Sequence, residues 1–340
     1  MRAERPPEAS SGRGGRGPGE VPGRLVRLGF SDPVTVVTLL DDPATRALLE
    51  PPSGDAVIQA FARSADPTLA LGSLVRLLAA AEDRPTLVTA VLASDGLRSR
   101  LAAVLGSSAA FGEHLVRHPE HWHALADDQL EGFRPTALGL RDAMLVAVGA
   151  DPRAYGPRAA IPVAAAYDAL RVEYRRLLLR LAARDLDGHL AVGDVAAELA
   201  DLAGATLDAG LAVARADVPG AEDVVRLAVV GMGKCGGREL NYVSDVDVIF
   251  VAEPLPGADE ATAMREASRL AAALVRACSS TTREGTIWPV DAALRPEGSA
   301  GPLVRSLASH RAYYERWAKT WEFQALVLSL IHISEPTRPY

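Results

Sequence analysis

Two aspartates flank a valine at Asp245-Val246-Asp247, and a third lies in another apolar stretch, Val290-Asp291-Ala292. Side chains along a strand alternate faces, so Asp245 and Asp247 share one face while Val246 and Val248 take the other. Ionised carboxylates held this close repel each other. A divalent cation removes that penalty. Mg²⁺ favours a few hard carboxylate oxygens and leaves its other positions to water and substrate phosphates. Gly236-Gly237 is separated from Asp245 by seven residues, and glycine lets backbone come close to a phosphate. Together these residues read as a metal-dependent nucleotidyl-transfer site. The bland reading is a solvated edge with incidental aspartates, since a lone Asp-x-Asp is common. A double glycine at this spacing and a later strand aspartate make the pattern far more specific.

Two other phosphate-binding readings fail on spacing. Gly231-x-Gly233-x-x-Gly236 follows a strand-like run and resembles a dinucleotide fingerprint, with Glu253 some twenty residues on. However, only Gly237 to Ser244 separate it from the next strand. A parallel crossover needs a dozen residues or more, and a buried parallel strand does not want two aspartates. A P-loop is excluded because Cys235 stands where Ser or Thr must follow the lysine, and the GxxxxG spacing is absent.

The elements that must position these residues lie on both sides of Val224. VVRLAVV (224–230) and VDVIFVA (246–252) are β-branched, apolar and strand-like. A helix is expected at about 259–278, a strand at GTIWPVDAALRP (285–296), and helices at about 306–328. Pro289 marks a bulge or an edge. Upstream, the pattern is helical. Asp32-Pro33 and Asp42-Pro43 look like caps leading into a first-turn proline, and 67–82 carries leucines at helical spacing. Ser107 and Ser108 are candidate caps for a helix reaching Arg117, and helical signal continues to about Val148. The clearest helices are expected at about 164–186 and 194–217. The expected class is α+β. Residues 1–22 form a polar, Gly/Pro-rich disordered tail, 23–218 a helical domain, and 219–327 the α/β domain that carries the chemistry.

Composition fits a soluble protein with real cores. The chain has 340 residues, 49% hydrophobic and 23% charged, with a net charge of −7. That balance argues against a nucleic-acid partner. There is no apolar run long enough to cross a membrane and no secretory signal. Cys235 and Cys278 form no disulfide framework or metal knuckle, which fits a reducing, cytoplasmic setting. Of 36 basic residues only Lys234 and Lys319 are lysines. This is a compositional signature that nonetheless draws attention to Lys234 beside the glycines.

With these residues assembled, GMGKCGGRELNYVSDVDVIFV (231–251) closely resembles the signature of bifunctional glutamine synthetase adenylyltransferase/adenylyl-removing enzymes. That family belongs to the DNA polymerase β-like nucleotidyltransferase superfamily. VDAALRPEGSAGPLV (290–304) and HRAYYERWAKTWEFQAL (310–326) are similar to its following blocks. VEYRRLLLRLAARDLDG (172–188) and DVAAELADLAGATLDAGL (194–211) are similar to its helical lead-in. The likeness covers 165–327 well and 25–165 loosely, and the composition suits the actinobacterial branch. Cys235 replaces the more usual Leu. Ala293 stands where many members carry Arg, which removes one phosphate contact, although a small residue there is usual in that branch. Residues 328–340, SLIHISEPTRPY and the leucine before it, depart outright from the family's basic continuation. They resemble sequencing-adapter read-through, so they are expected to be non-native and to form no structure, and His332 carries no function.

The resemblance implies a place and a reaction. The start at Met1, the long lead-in before the site, and GMGK with ELNY instead of GYGK point to the N-terminal, adenylyl-removing half of a truncated enzyme. The implied reaction is phosphorolysis, in which adenylyl-tyrosyl glutamine synthetase and phosphate give free tyrosine and ADP. Adenylylation from ATP belongs to the absent half. Asp245, Asp247 and Asp291 would hold two Mg²⁺ ions, or Mn²⁺ in their place. Gly236, Gly237 and Ser244 would hold phosphate oxygens of AMP or ADP, with Lys234 and Arg295 adding charge. For Lys234 the competing reading is an ordinary solvated lysine. Glutamine synthetase is the implied protein partner and a PII-type nitrogen-signalling protein an implied regulator. A rival reading is a catalytically incomplete fragment that only binds glutamine synthetase, and another is a superfamily member with a different acceptor.

Other polar clusters read as structural. His114, His118, His121 and His123 are dense, but Pro119 breaks the helix and no HExxH exists, so a surface cluster is expected. Arg171, Arg175, Arg176, Arg180 and Arg184 read as a solvated helix face. Trp288, Trp317 and Trp321 read as core or interface anchors. Cys278 lacks the neighbours of a nucleophile. Glu322 matches a family position, but a structural helix role suits it equally.

Overall fold

The computed structural model describes residues 20–43, 48, 53–127, 130, 132, 134–327 and 330–333. They form two compact units, Met1–Trp122 and His123–Tyr340. Residues 1–19 of the expected tail lie outside the described residues, whereas Glu20 already opens a helix.

The first unit is helical. Helices α1 (Glu20–Arg27), α2 (Pro33–Leu40), α3 (Ser53–Ala62), α4 (Pro67–Ala80), α5 (Arg84–Ala93), α6 (Asp95–Ser107) and α7 (Ala109–Arg117) follow one another. Their starts follow from local chemistry. Asp32, Asp66 and Asp83 each accept a backbone N–H three residues on, and a proline in the first turn forfeits no helix bond. Ser108 precedes α7 without making a side-chain cap bond. The second expected cap, at Asp42, adjoins residues outside the description. Leu71, Leu74, Leu77 and Leu78 of α4 are fully buried, each worth about 1.5–3 kcal/mol over exposure.

The second unit joins long helices to a small sheet. Its elements are α8 (Ala137–Ala147), α9 (Val163–Leu186), α10 (Val192–Asp217), β1 (Val225–Gly231), the single turn α11 (Gly233–Gly236), β2 (Val246–Pro254) and α12 (Glu260–Ser279). Then come β3 (Val290–Asp291), β4 (Val304–Ser306), α13 (Leu307–Arg316), α14 (Thr320–Val327) and β5 (Leu330–Ile333). The strand order is β3-β2-β1-β5, with β4 also on β2. β1 and β2 are antiparallel, pairing Gly231 with Val248. β3 and β4 run parallel to β2. The class is therefore α+β. No helix among the described residues is long and apolar enough to cross a membrane.

Several expectations change. The division falls after Trp122 and not near 218, because α9 and α10 share one apolar core with α12 and the sheet. The expected strand at 285–296 shrinks to Val290–Asp291. Pro289 has no N–H to continue a ladder, although its carbonyl still accepts from Val246 N at 3.0 Å. Residues 330–333, expected to form no structure, pair with β1, whose outer edge is an open template for any short apolar segment. The arginine face is not uniformly solvated. Arg171 is buried and donates to the carbonyls of Gly285, Tyr167 and Ser280, while Arg184 is buried against Glu198. Buried guanidinium groups must be paired; Arg171 ties its helix to loop carbonyls and Arg184 ties it to the next helix. His114 is likewise buried, bonded to His121 at 2.9 Å. Trp288 is a core anchor, whereas Trp317 and Trp321 are exposed.

The α10–α12 crossing is close. A Cβ on Gly210 would lie 2.9 Å from Cys278 Sγ. Gly210→Ala gains about 1 kcal/mol of helix propensity but loses about 1–3 kcal/mol to overpacking. We expect it to lower the midpoint of urea unfolding in the parent chain, and to be neutral or stabilising in a Cys278→Ala background. Four unfolding curves complete the cycle.

Candidate active site

The antiparallel β1–β2 pair excludes a βαβ dinucleotide unit, which needs parallel strands. In its place, the chain leaves β1 at Gly231, makes the α11 turn, and returns along 237–245 into β2. Met232 N donates to Asp247 O at 2.8 Å, stitching the turn to the start of β2. Gly233 has φ +53°, and a Cβ there would sit 2.6 Å from Asp247 Oδ2. Only glycine fits both the backbone and the close approach. Gly233 was legible only as part of a rejected fingerprint; its place against Asp247 depends on the strand register.

Asp247 and Asp291 are register partners on the parallel β2–β3 pair, and Asp245 lies just before β2. One carboxylate oxygen from each of Asp245, Asp247 and Asp291 falls within 4.8 Å of the others. Asp245 is exposed and the other two are half-buried. Asp291 Oδ1 accepts from Ala293 N at 2.7 Å, which fixes its rotamer. The Asp247 carboxyl is pushed above the usual carboxylate range, first by burial and then by the charges of Asp245 and Asp291. Lys234, exposed on α11, opposes this. Three hard oxygen donors brought this close fit Mg²⁺ or Mn²⁺ and suit neither soft nor anionic ligands.

The remaining expected site residues divide. Ser244 stays at the site, its hydroxyl 3.5 Å from Asp245 Oδ1. Gly236 and Gly237 are correctly placed in the loop, but their N–H groups donate to the carbonyls of Met232 and Gly233 at 3.0 and 2.9 Å. A helical turn uses those donors. Arg295 is also engaged: Nε donates to Gly301 O at 3.2 Å, and its terminal nitrogens to Ala292 O at 2.7 Å and Ser299 O at 3.2 Å. It braces the loop behind Asp291 and presents no free fork to an anion. Glu322 is structural. It accepts from Tyr313 Oη at 2.8 Å and from Lys319 N at 2.7 Å, capping α14. Cys235 is buried and its thiol is pushed up to about 12, mainly by burial, as a packing residue requires.

The family model for glutamate-ammonia ligase adenylyltransferase matches residues 98–337. The chain belongs to this family. Among curated relatives, a bifunctional glutamine synthetase adenylyltransferase/adenylyl-removing enzyme of Streptomyces avermitilis is 52% identical over 308 residues, covering 89% of this chain and 29% of that protein. The enzyme of that name from Streptomyces coelicolor is 50% identical with the same coverages, and that from Cutibacterium acnes is 48% identical over 77% of this chain and 26% of its own length. The chain thus spans under a third of the relatives it matches. The family is one of nucleotidyltransferases, and the described site lies inside the matched region.

The raised Asp247 carboxyl has a pH consequence. As pH rises past the ordinary carboxylate value, the metal-free folded chain holds this proton longer than the unfolded chain does. Its contribution to stability is therefore greatest at acid pH and declines as pH rises from the ordinary carboxylate value through the raised one. Asp247→Asn should melt higher than the parent at pH 7 in a chelator, with the gap closing toward pH 4. Added Mg²⁺ should raise the parent's Tm and leave the variant's unchanged.

Proposed function

We propose that this chain removes AMP from adenylylated tyrosine of glutamine synthetase by phosphorolysis, as the N-terminal half of a bifunctional enzyme that also adenylylates it from ATP. The observation that carries the reading is the convergence of Asp245, Asp247 and Asp291 in a chain of this family. We read its sheet as a DNA polymerase β-like nucleotidyltransferase core, and regulation by a PII-type protein belongs to the same reading.

In this reaction an oxygen of inorganic phosphate attacks the AMP phosphorus in line with the tyrosyl oxygen. The P–O(Tyr) bond breaks, the phenolate takes a proton, and ADP leaves. The nucleophile is already anionic, so the chain needs no strong general base. A divalent cation at the three carboxylates supplies alignment and charge stabilisation when bound. The chain's own part is positional. Gly233 lets α11 close against Asp247, the Asp291 turn fixes the third carboxylate, and Arg295 stiffens the segment behind it. Lys234 brings a cation to the anionic substrates and the Ser244 hydroxyl a phosphate donor, with Gly236 and Gly237 left out of that role.

The assay mixes the chain with adenylylated glutamine synthetase, phosphate and Mg²⁺, and measures ADP. Release is expected, and Asp247→Ala should reduce it by at least about a hundredfold. Transfer to free nucleotides alone would overturn the reading. Metal-independent binding of glutamine synthetase without ADP would favour the binding-module alternative, which the chain's small share of its relatives' length keeps in view.

A further inference from the structure

Asp245 follows directly on a seven-residue loop, 238–244, that has little regular structure of its own. Two of its side chains reach away from the site to the long helices. Arg238 donates to Asp201 of α10 at 2.8 Å, and Tyr242 Oη donates to Asp185 of α9 at 2.8 Å. Arg238 has φ +58°, a left-handed conformation that L-residues rarely adopt. Leu240, between them, is buried. The loop is therefore pinned near both ends and at its middle.

The two acceptors stand beside a buried ion pair. Arg184, next to Asp185, bonds Glu198, which lies one helical turn before Asp201. Both side chains are almost fully buried, and Glu198 Oε2 has no hydrogen-bond partner. A buried pair of this kind contributes little net stability, but removal of one partner strands a buried charge. The pair joins α9 to α10 beside Asp185 and Asp201, the two posts that hold the loop.

We infer that Tyr242 and Arg238 are positioning residues for the metal-binding carboxylates, holding Asp245 beside Asp247 through Asp185 and Asp201 on the two helices. The inference rests on the reading of the three aspartates as a cation site. Neither side chain need touch metal or substrate. Release of either end lets residues 243–245 swing, which separates the first carboxylate from the other two and weakens cation binding while the fold persists.

Calorimetric titration of the 340-residue chain with Mg²⁺, alongside Tm in chelator, tests this. Tyr242→Phe and Arg238→Ala should each weaken Mg²⁺ binding about 3- to 10-fold, the range of one net hydrogen bond. Asp185→Ala should match Tyr242→Phe, and the double variant should lose no more than either single one. Asp185→Asn, which keeps an acceptor oxygen, should restore near-parental affinity. Loss of Tm in chelator without change in Mg²⁺ affinity would make the contacts merely structural and overturn the inference. So would additive losses in the double variant. The inference fails alone if Asp247→Asn abolishes binding while Tyr242→Phe leaves it intact. If the parent chain binds no Mg²⁺, the cation-site reading fails and the inference with it.

Discussion

The structure around the site is organised by the repulsion among Asp245, Asp247 and Asp291. Three carboxylates within hydrogen-bonding reach of a common point are unfavourable in a folded chain without a counter-charge. Burial and the two neighbouring charges already drive Asp247 toward its protonated form. Such a cluster persists only if surrounding structure over-determines it. Here a parallel strand register sets Asp247 opposite Asp291, a glycine permits the α11 turn to close on Asp247, and an Asx-type turn holds Asp291.

That over-determination extends outward into the helices. α10 is buried along most of its length and packs on α12, which backs the sheet. α9 and α10 are bridged by Arg184–Glu198 and are joined to the loop after α11 through Asp185 and Asp201. The helices are thus part of the scaffold of the site, which explains why they group with the sheet in one compact unit. In the proposed reaction the substrate phosphates and the cation arrive at a surface that is already shaped for them.

The local patterns were legible in the sequence. Leucine periodicity, helical spacing and the two β-branched runs gave α4, α9, α10, β1 and β2 to within a residue or two, and the Asp32-Pro33 cap gave the start of α2. The Asp-x-Asp pair with a distant strand aspartate was enough to name the three carboxylates. What was not legible depended on contacts between distant residues. Arg295 reads as an anion ligand by type, yet its fork closes on three carbonyls of its own loop. The double glycine reads as a phosphate cradle, yet a single helical turn uses its N–H groups. Arg171 and Arg184 look solvated on a helical wheel, but a wheel cannot show the carbonyls and the carboxylate that bury them. The domain division was missed because nothing in a helix's own pattern tells which neighbour covers its apolar face.

The most direct test is anomalous diffraction from crystals of the chain soaked in Mn²⁺, recorded near neutral pH so that the carboxylates can ionise. The account predicts Mn²⁺ density bounded by oxygens of Asp245, Asp247 and Asp291 together. Ordered Mn²⁺ elsewhere with none between these three side chains, or a site that omits Asp247, would contradict it.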